Sequence, residues 1–143
     1  MVNSCKKIYA RAVAPSCALA PGECDIFEFH RSGTQLELGI QRNLARTAET
    51  IRITFERYFT LFVTDEGDLT RYWGSDMFKG HGHIFEILDG GLLWNESQYP
   101  GLLTVTAAMP NVREWFVRTT GECITVISDT EPQIRVVVGD EAP

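Results

Sequence analysis

His81 and His83, one residue apart, with Glu86 three positions further on, are the side chains of this chain best spaced to hold a metal ion. On a strand, positions i and i+2 project to the same face, so both imidazoles would reach one ion. A catalytic zinc site takes three protein ligands. Glu86 follows His83 too closely to complete the set, and the one other histidine, His30, lies far upstream. His81 and His83 therefore read as a weak metal candidate and, more plainly, as part of a glycine-rich loop, 80–82, entering a strand. No metal and no cofactor are expected.

The other catalytic patterns are missing from the sequence. There is no G-x-S-x-G elbow, no phosphate-binding loop and no dinucleotide fingerprint. Carboxylate pairs such as Asp65 with Asp68, or Glu23 with Asp25, fall in turn-forming segments, where Asp commonly bonds its own backbone. Cys24 and His30 sit six apart in one strand-like run, which is a poor basis for a thiol nucleophile and its base. The reading is a protein that is not an enzyme.

Charge and aromatic residues are more informative. The 143 residues carry 13 basic and 19 acidic side chains, a net charge of −6, which argues against nucleic acid or an anionic membrane as partner. Residues 1–71 balance at nine of each sign, whereas 72–143 hold four basic and ten acidic residues. Between 65 and 99 stand Asp65, Glu66, Asp68, Asp76, Glu86, Asp89 and Glu96, against Arg71 and Lys79. Tyr72, Trp73, Phe78, Trp94 and Tyr99 lie in the same stretch. Most of these aromatics are expected in the core. Any that reach the surface beside carboxylates would form a protein-binding patch. Candidate contact residues are Asp65, Glu66, Asp68, Asp76 and Glu96 for steering, with Trp73, Trp94 and Tyr99 as anchors.

These residues have to be positioned by strands. Leu36, Leu38 and Ile40 alternate with polar neighbours, and Ser32-Gly33 separates them from Ile26–Phe29 as a hairpin turn. Ile51, Ile53, Phe55, Phe59, Leu61 and Val63 share one phase over a single run, 51–63, too long for one straight strand, so a bend or bulge is expected near Arg57. Further strands are expected at 69–73, 84–88, 92–94, 102–106, 112–118 and 134–138, with Asp89-Gly90-Gly91 as a tight hairpin. Thr119 and Glu122 have capping-box spacing, which predicts one helix over 121–128 ended by Pro132. The fold class is mainly β, an antiparallel sandwich or partly open barrel with one short C-terminal helix. It is read as a single domain, 1–143, with an irregular N-terminal segment, 1–24, and a short acidic tail, 139–143.

Hydrophobic residues make up 44% and charged residues 22%, an ordinary globular composition, and no apolar run is long enough to span a membrane. Cys5, Cys17, Cys24 and Cys123 contain no C-x-x-C pair, so Cys24 and Cys123 are expected as buried free thiols. Lys6-Lys7 followed by an Ala-rich stretch imitates a signal peptide, but Arg11 and Pro15 interrupt it. The expectation is a cytoplasmic protein.

The segment order Ile51–Phe55, Val63–Leu69 with Tyr72-Trp73, Leu92–Trp94 with Glu96-Ser97, then Trp115–Val117, Glu122–Ser128 and Glu131-Pro132 resembles small bacterial proteins of polymorphic-toxin and contact-dependent secretion loci, several of them immunity proteins. It covers roughly residues 50–135 and its motifs are structural. The resemblance implies a cytoplasmic protein that binds and blocks a cognate toxin; the expected mechanism is occlusion, and the acidic stretch points to a basic surface on that toxin. It carries over no catalytic residue. The alternatives are a small-molecule-binding β-barrel or small enzyme using His81 and His83, and a structural adaptor subunit.

Overall fold

The computed structural model describes residues 6–13, 24–43, 48–78 and 82–139. Nine strands form in chain order: β1 (Tyr9–Ala12), β2 (Cys24–Ser32), β3 (Gln35–Asn43), β4 (Ala48–Phe55), β5 (Thr60–Asp65), β6 (Ile84–Asp89), β7 (Arg113–Val117), β8 (Glu122–Ser128) and β9 (Gln133–Gly139). Three short helices, α1 (Thr70–Trp73), α2 (Leu92–Gln98) and α3 (Thr104–Ala108), and 3₁₀ turns at Glu66–Asp68 and Asp76–Phe78 complete the description. One antiparallel sheet has five strands in the order β1-β6-β7-β8-β5, the other four in the order β2-β3-β4-β9. They pack as a β-sandwich with no closed barrel.

The core follows from alternation. Leu36, Leu38 and Ile40 of β3 stand opposite Phe55, Ile53 and Ile51 of β4, and all six are fully buried. They meet Ile84, Trp115, Val117, Ile124 and Val126 of the five-stranded sheet. Trp115 packs edge-on to Phe55 at 6.4 Å between ring centres. Fully burying a side chain of this kind contributes roughly 1.5–3 kcal/mol. The β2–β3 hairpin turns where expected, with Gly33 at φ +60, a backbone conformation open to glycine at no steric cost.

The run 51–63 is two strands in two sheets. β4 ends at Phe55 in the four-stranded sheet and β5 begins at Thr60 at the edge of the other. The expected bend at Arg57 is this crossing. Arg57 forms a forked ion pair with Asp129, which lies in the second crossing, from β8 to β9. Leu61, in the same phase, still packs against the core, and Val63 is half exposed on a strand at the edge of its sheet.

Several local expectations are corrected. Residues 121–128 are strand β8, not a helix. β8 is buried on both faces, so its apolar residues show no period of two, and a continuous short apolar run does not distinguish strand from helix. Thr119 and Glu122 do meet, but there the Thr119 hydroxyl donates to the Glu122 main-chain carbonyl. The expected strands at 69–73, 92–94 and 102–106 are replaced by α1, α2 and α3. Gly90 has the positive φ, +82, expected of a tight turn, yet the chain leaves it for α2 and β6 pairs with β1 and β7. The N-terminal segment is not wholly irregular, because Tyr9–Ala12 adds β1 to the edge of β6.

At the β1 side of the sandwich, Glu86 takes Arg11 Nε at 2.8 Å and Arg113 Nε at 2.7 Å, and both arginines reach Glu131. The Arg113 hydrogen bond, with that of Arg11, holds the Glu86 carboxyl below its ordinary value of 4.5. The Arg113 guanidinium also lies 4.7 Å above the Trp115 ring. This network ties β1, β6 and β7 to the turn before β9.

Candidate functional site

The outer face of the five-stranded sheet carries the segments that were expected to do the binding. Its two halves are covered in different ways.

Over one half lies residues 66–78. Tyr72 and Phe78 bury their rings with Ile8, Phe85, Ile87, Phe116 and Cys123. Tyr72 is tilted against Phe116 at 4.8 Å, and Phe78 meets Phe85 edge-on at 5.0 Å. Burial pushes the Tyr72 hydroxyl far above its ordinary value and raises the Cys123 thiol, so neither ionises near neutrality. Cys123 is the buried free thiol expected; the side chain of Cys24 lies outside the described residues. The acidic turn sits above this cluster. Asp65 caps it by accepting from Gly67 N at 3.1 Å, and Asp65, Glu66 and Asp68 are exposed. Trp73 is half buried against Phe78 and donates from Nε1 to the Glu66 carbonyl at 2.8 Å. Asp76 is exposed in the second 3₁₀ turn.

The other half is crossed by α2, a loop and α3, held down by two buried carboxylates. Glu114 of β7 is 1% exposed and accepts from Leu92 N at 3.0 Å and Leu93 N at 2.9 Å, the free amides of the first turn of α2. Burial raises its carboxyl above 4.5 despite those two amides and the nearby Arg71. Gly91 makes room for it: a side chain there would overlap the Glu114 carboxylate. Glu96 of α2 is 6% exposed and accepts from Gly101 N at 2.8 Å, Leu102 N at 3.0 Å and Leu103 N at 2.9 Å. Those amides, that of Gly101 first, hold its carboxyl below 4.5. Arg71 of α1 joins the halves by donating to the carbonyls of Gly90 and Lys6.

α3 is anchored by Thr106, whose hydroxyl is 2.7 Å from that of Thr60 on β5. None of its residues is buried. Tyr99, Leu102 and Val105 are 61%, 64% and 70% exposed, and Met109 is 37% exposed. They form an apolar strip in a stretch, 97–112, with no charged residue. Single exposed apolar residues are ordinary, but four of them within one short uncharged segment make it the candidate interaction surface.

The sequence-predicted residues thus separate into groups. Asp65, Glu66, Asp68 and Trp73 share one turn and its helix. Tyr99 is on the apolar strip and is its exposed aromatic. Trp94 is half buried, with Lys6 Nζ 5.8 Å from its ring centre. Glu96 is not a surface acid: its oxygens serve backbone amides of the α2–α3 loop, and it leaves the steering set. Of the remaining acids in the stretch, Glu86 is held by Arg11 and Arg113, and Asp89 by Lys6 at 2.8 Å. His81 lies outside the described residues, and His83 is buried, 3% exposed, under the β7 side of the sheet, where its carbonyl accepts from Arg118 N. Among the described residues no three metal-binding side chains gather, and no helix is long and apolar enough to cross a membrane.

Leu102, Val105 and Met109 were not singled out from sequence. The signal available was the uncharged stretch 97–112 inside an otherwise acidic half. No protein-family model, no curated protein and no solved structure matches this chain.

Proposed function

We propose that this protein binds and neutralises a partner protein by occlusion, most concretely as the cytoplasmic immunity protein of a bacterial toxin. The observation that carries the reading is the set of exposed apolar residues Tyr99, Leu102, Val105 and Met109, which runs from the end of α2 through the loop to the end of α3, a helix that buries none of its own side chains. Short α3 does nothing for the core, so its apolar residues are available to a partner.

The acidic turn supplies the second component. β5 runs from Thr60, which bonds α3, to Asp65, which opens the turn. At about 3.3 Å per residue the two features lie roughly 17 Å apart, within one standard protein interface. Asp65, Glu66 and Asp68 would speed encounter with a basic surface, and burial of the strip would slow release.

The test is co-expression with the product of the neighbouring upstream reading frame. The expected result is a stoichiometric complex and restored growth, both lost in Leu102→Lys/Val105→Lys protein whose melting curve is unchanged. A complex indifferent to that double substitution would overturn the assignment of the surface, and the absence of both toxicity and complex would overturn the function.

A further inference from the structure

Strand β5 is an edge strand: it pairs with β8 and, among the described residues, with nothing on its other side. Glu66 N donates to Gly121 O, which places residues 64, 62 and 60 in the positions that bond β8. By the alternation of an antiparallel ladder, the N–H and C=O groups of Leu61 and Val63 point away from the sheet.

Natural edge strands are usually guarded by charge, proline, bulges or shortness. The three other edges here carry such devices. β1 has four residues, a register shift and Arg11; β2 has a bulge between Ile26 and Glu28 and carries Glu28 and Arg31; β9 carries Arg135. β5 has none of these over Thr60-Leu61-Phe62-Val63-Thr64, and its register against β8 is unbroken.

The strand is also nearly palindromic about Phe62. An antiparallel copy centred there sets Phe62 against Phe62, Leu61 against Val63 and Thr60 against Thr64. These are aromatic, branched-apolar and threonine pairs, the combinations that stabilise neighbouring strands. The same register pairs the outward groups of Leu61 with those of Val63, as the free edge requires, and puts Phe62 in the closer, non-hydrogen-bonded position. The flanks are complementary as well. Arg57 precedes the strand and Asp65, Glu66 and Asp68 end or follow it, so each copy brings its acidic turn to the arginine end of the other. Beside Phe62, Leu102 and Val105 line a groove of about 380 Å³ on the same face, an apolar wall for the second ring.

We propose that β5 is a homodimerisation edge, through which two copies of this chain join their five-stranded sheets about a two-fold axis at Phe62. A two-fold contact of this kind is self-limiting, because pairing closes both edges. The dimer surface shares Leu102, Val105 and the acidic turn with the surface proposed for a toxin, so the two partners would compete; the dimer is inferred from β5 and does not rest on the toxin reading.

Sedimentation equilibrium of the full chain, from low micromolar to near-millimolar concentration, is expected to show the mass doubling. A monomer across the whole range overturns the proposal. Phe62→Glu sets two like charges at the axis, and Val63→Pro removes an outward N–H without touching the β8 ladder; both are expected to be folded monomers. A dimer that persists in both folded variants overturns the proposal. Should neither variant fold, amide exchange of the unaltered chain decides. The Leu61 and Val63 amides are expected to slow at least about tenfold on going from the monomeric to the dimeric concentration, and unchanged exchange overturns the edge assignment.

Discussion

The inner face of the five-stranded sheet and the α2–α3 half of its outer face are covered by different physics. The inner face meets the other sheet through side chains alone: Ile84, Trp115, Val117, Ile124 and Val126 against Leu36, Leu38, Ile40, Ile51, Ile53 and Phe55, all fully buried. On the outer face, the α2–α3 segment is held by carboxylate oxygens on backbone amides, Glu114 on Leu92 and Leu93, Glu96 on Gly101 to Leu103. Hydrophobic packing consumes the apolar side chains it uses. Anchoring through main-chain amides, with Leu103 alone buried among the large apolar residues of 99–109, leaves Tyr99, Leu102, Val105 and Met109 exposed. The difference explains how a small sandwich can hold an apolar surface in place without burying it.

Breaking the inner contact should have the largest effect. Trp115→Ala removes the largest fully buried side chain and is expected to cost about 3–5 kcal/mol in urea denaturation. Glu114→Ala is next. It strands two amides at the start of α2 and is expected to cost about 1–3 kcal/mol, with amide exchange accelerated over 92–98. An equal acceleration across β3 and β4 would show that this anchor is part of the core.

Glu96→Ala should free the loop without unfolding the sandwich. Limited proteolysis is expected to cut within 99–109 while the cooperative melt stays close to that of the parent. A cut pattern identical to the parent's would show that Thr106 and its bond to Thr60 hold the segment unaided.

The anchors also differ in pH dependence. Glu86 and Glu96 have carboxyls lowered in the fold, so their contributions are present above about 4.5 and fade as pH falls through the folded values. Glu114 is raised, so its charged form opposes folding at neutral pH, and that penalty is relieved as pH falls through its folded value. The destabilisation by Glu86→Gln is therefore expected to shrink between pH 7 and pH values below 4.5. Glu114→Gln should compare better with the parent at pH 7 than in acid. Chemical denaturation at the two pH values checks both signs, and parallel behaviour of the two variants would refute the contrast.

The smallest expected effect on stability is that of Val105→Lys, within about 0.5 kcal/mol, because the side chain is 70% exposed. A thermal melt checks it. A large loss would show that α3 packs more tightly than its exposure indicates.

Period-two alternation was enough to identify β3 and β4 and the inward set Leu36, Leu38, Ile40, Ile51, Ile53 and Phe55, because each strand has one solvated face. It failed where both faces are covered. Residues 122–128 show no alternation for that reason. The runs 92–94 and 102–106 are too short for pattern to separate helix from strand; Glu114 from β7 caps α2 and Glu96 from within α2 holds the loop amides before α3, and only the first is remote in sequence. Among the candidate contacts, Asp65, Glu66 and Asp68 fall in a turn by sequence and are exposed, whereas the exposure of Tyr99, in contrast to half-buried Trp73 and Trp94, was not legible, because aromatic rings serve core and surface alike. Glu96 could not be recognised as buried, since its partners are backbone amides and every residue has one.

Composition, charge and hydrophobic alternation determined a mainly β chain with an acidic second half and a core drawn from named strands. Those properties are local, and each residue reports its own preference for water or apolar surroundings. Tertiary structure alone decided that 51–63 divides between two sheets at Arg57, that Glu114 caps a helix 22 residues away, and that Tyr99, Leu102, Val105 and Met109 of the uncharged stretch are exposed while Leu103 is buried. Each of these depends on which distant backbone groups come within hydrogen-bonding reach, a pairing that side-chain polarity does not encode.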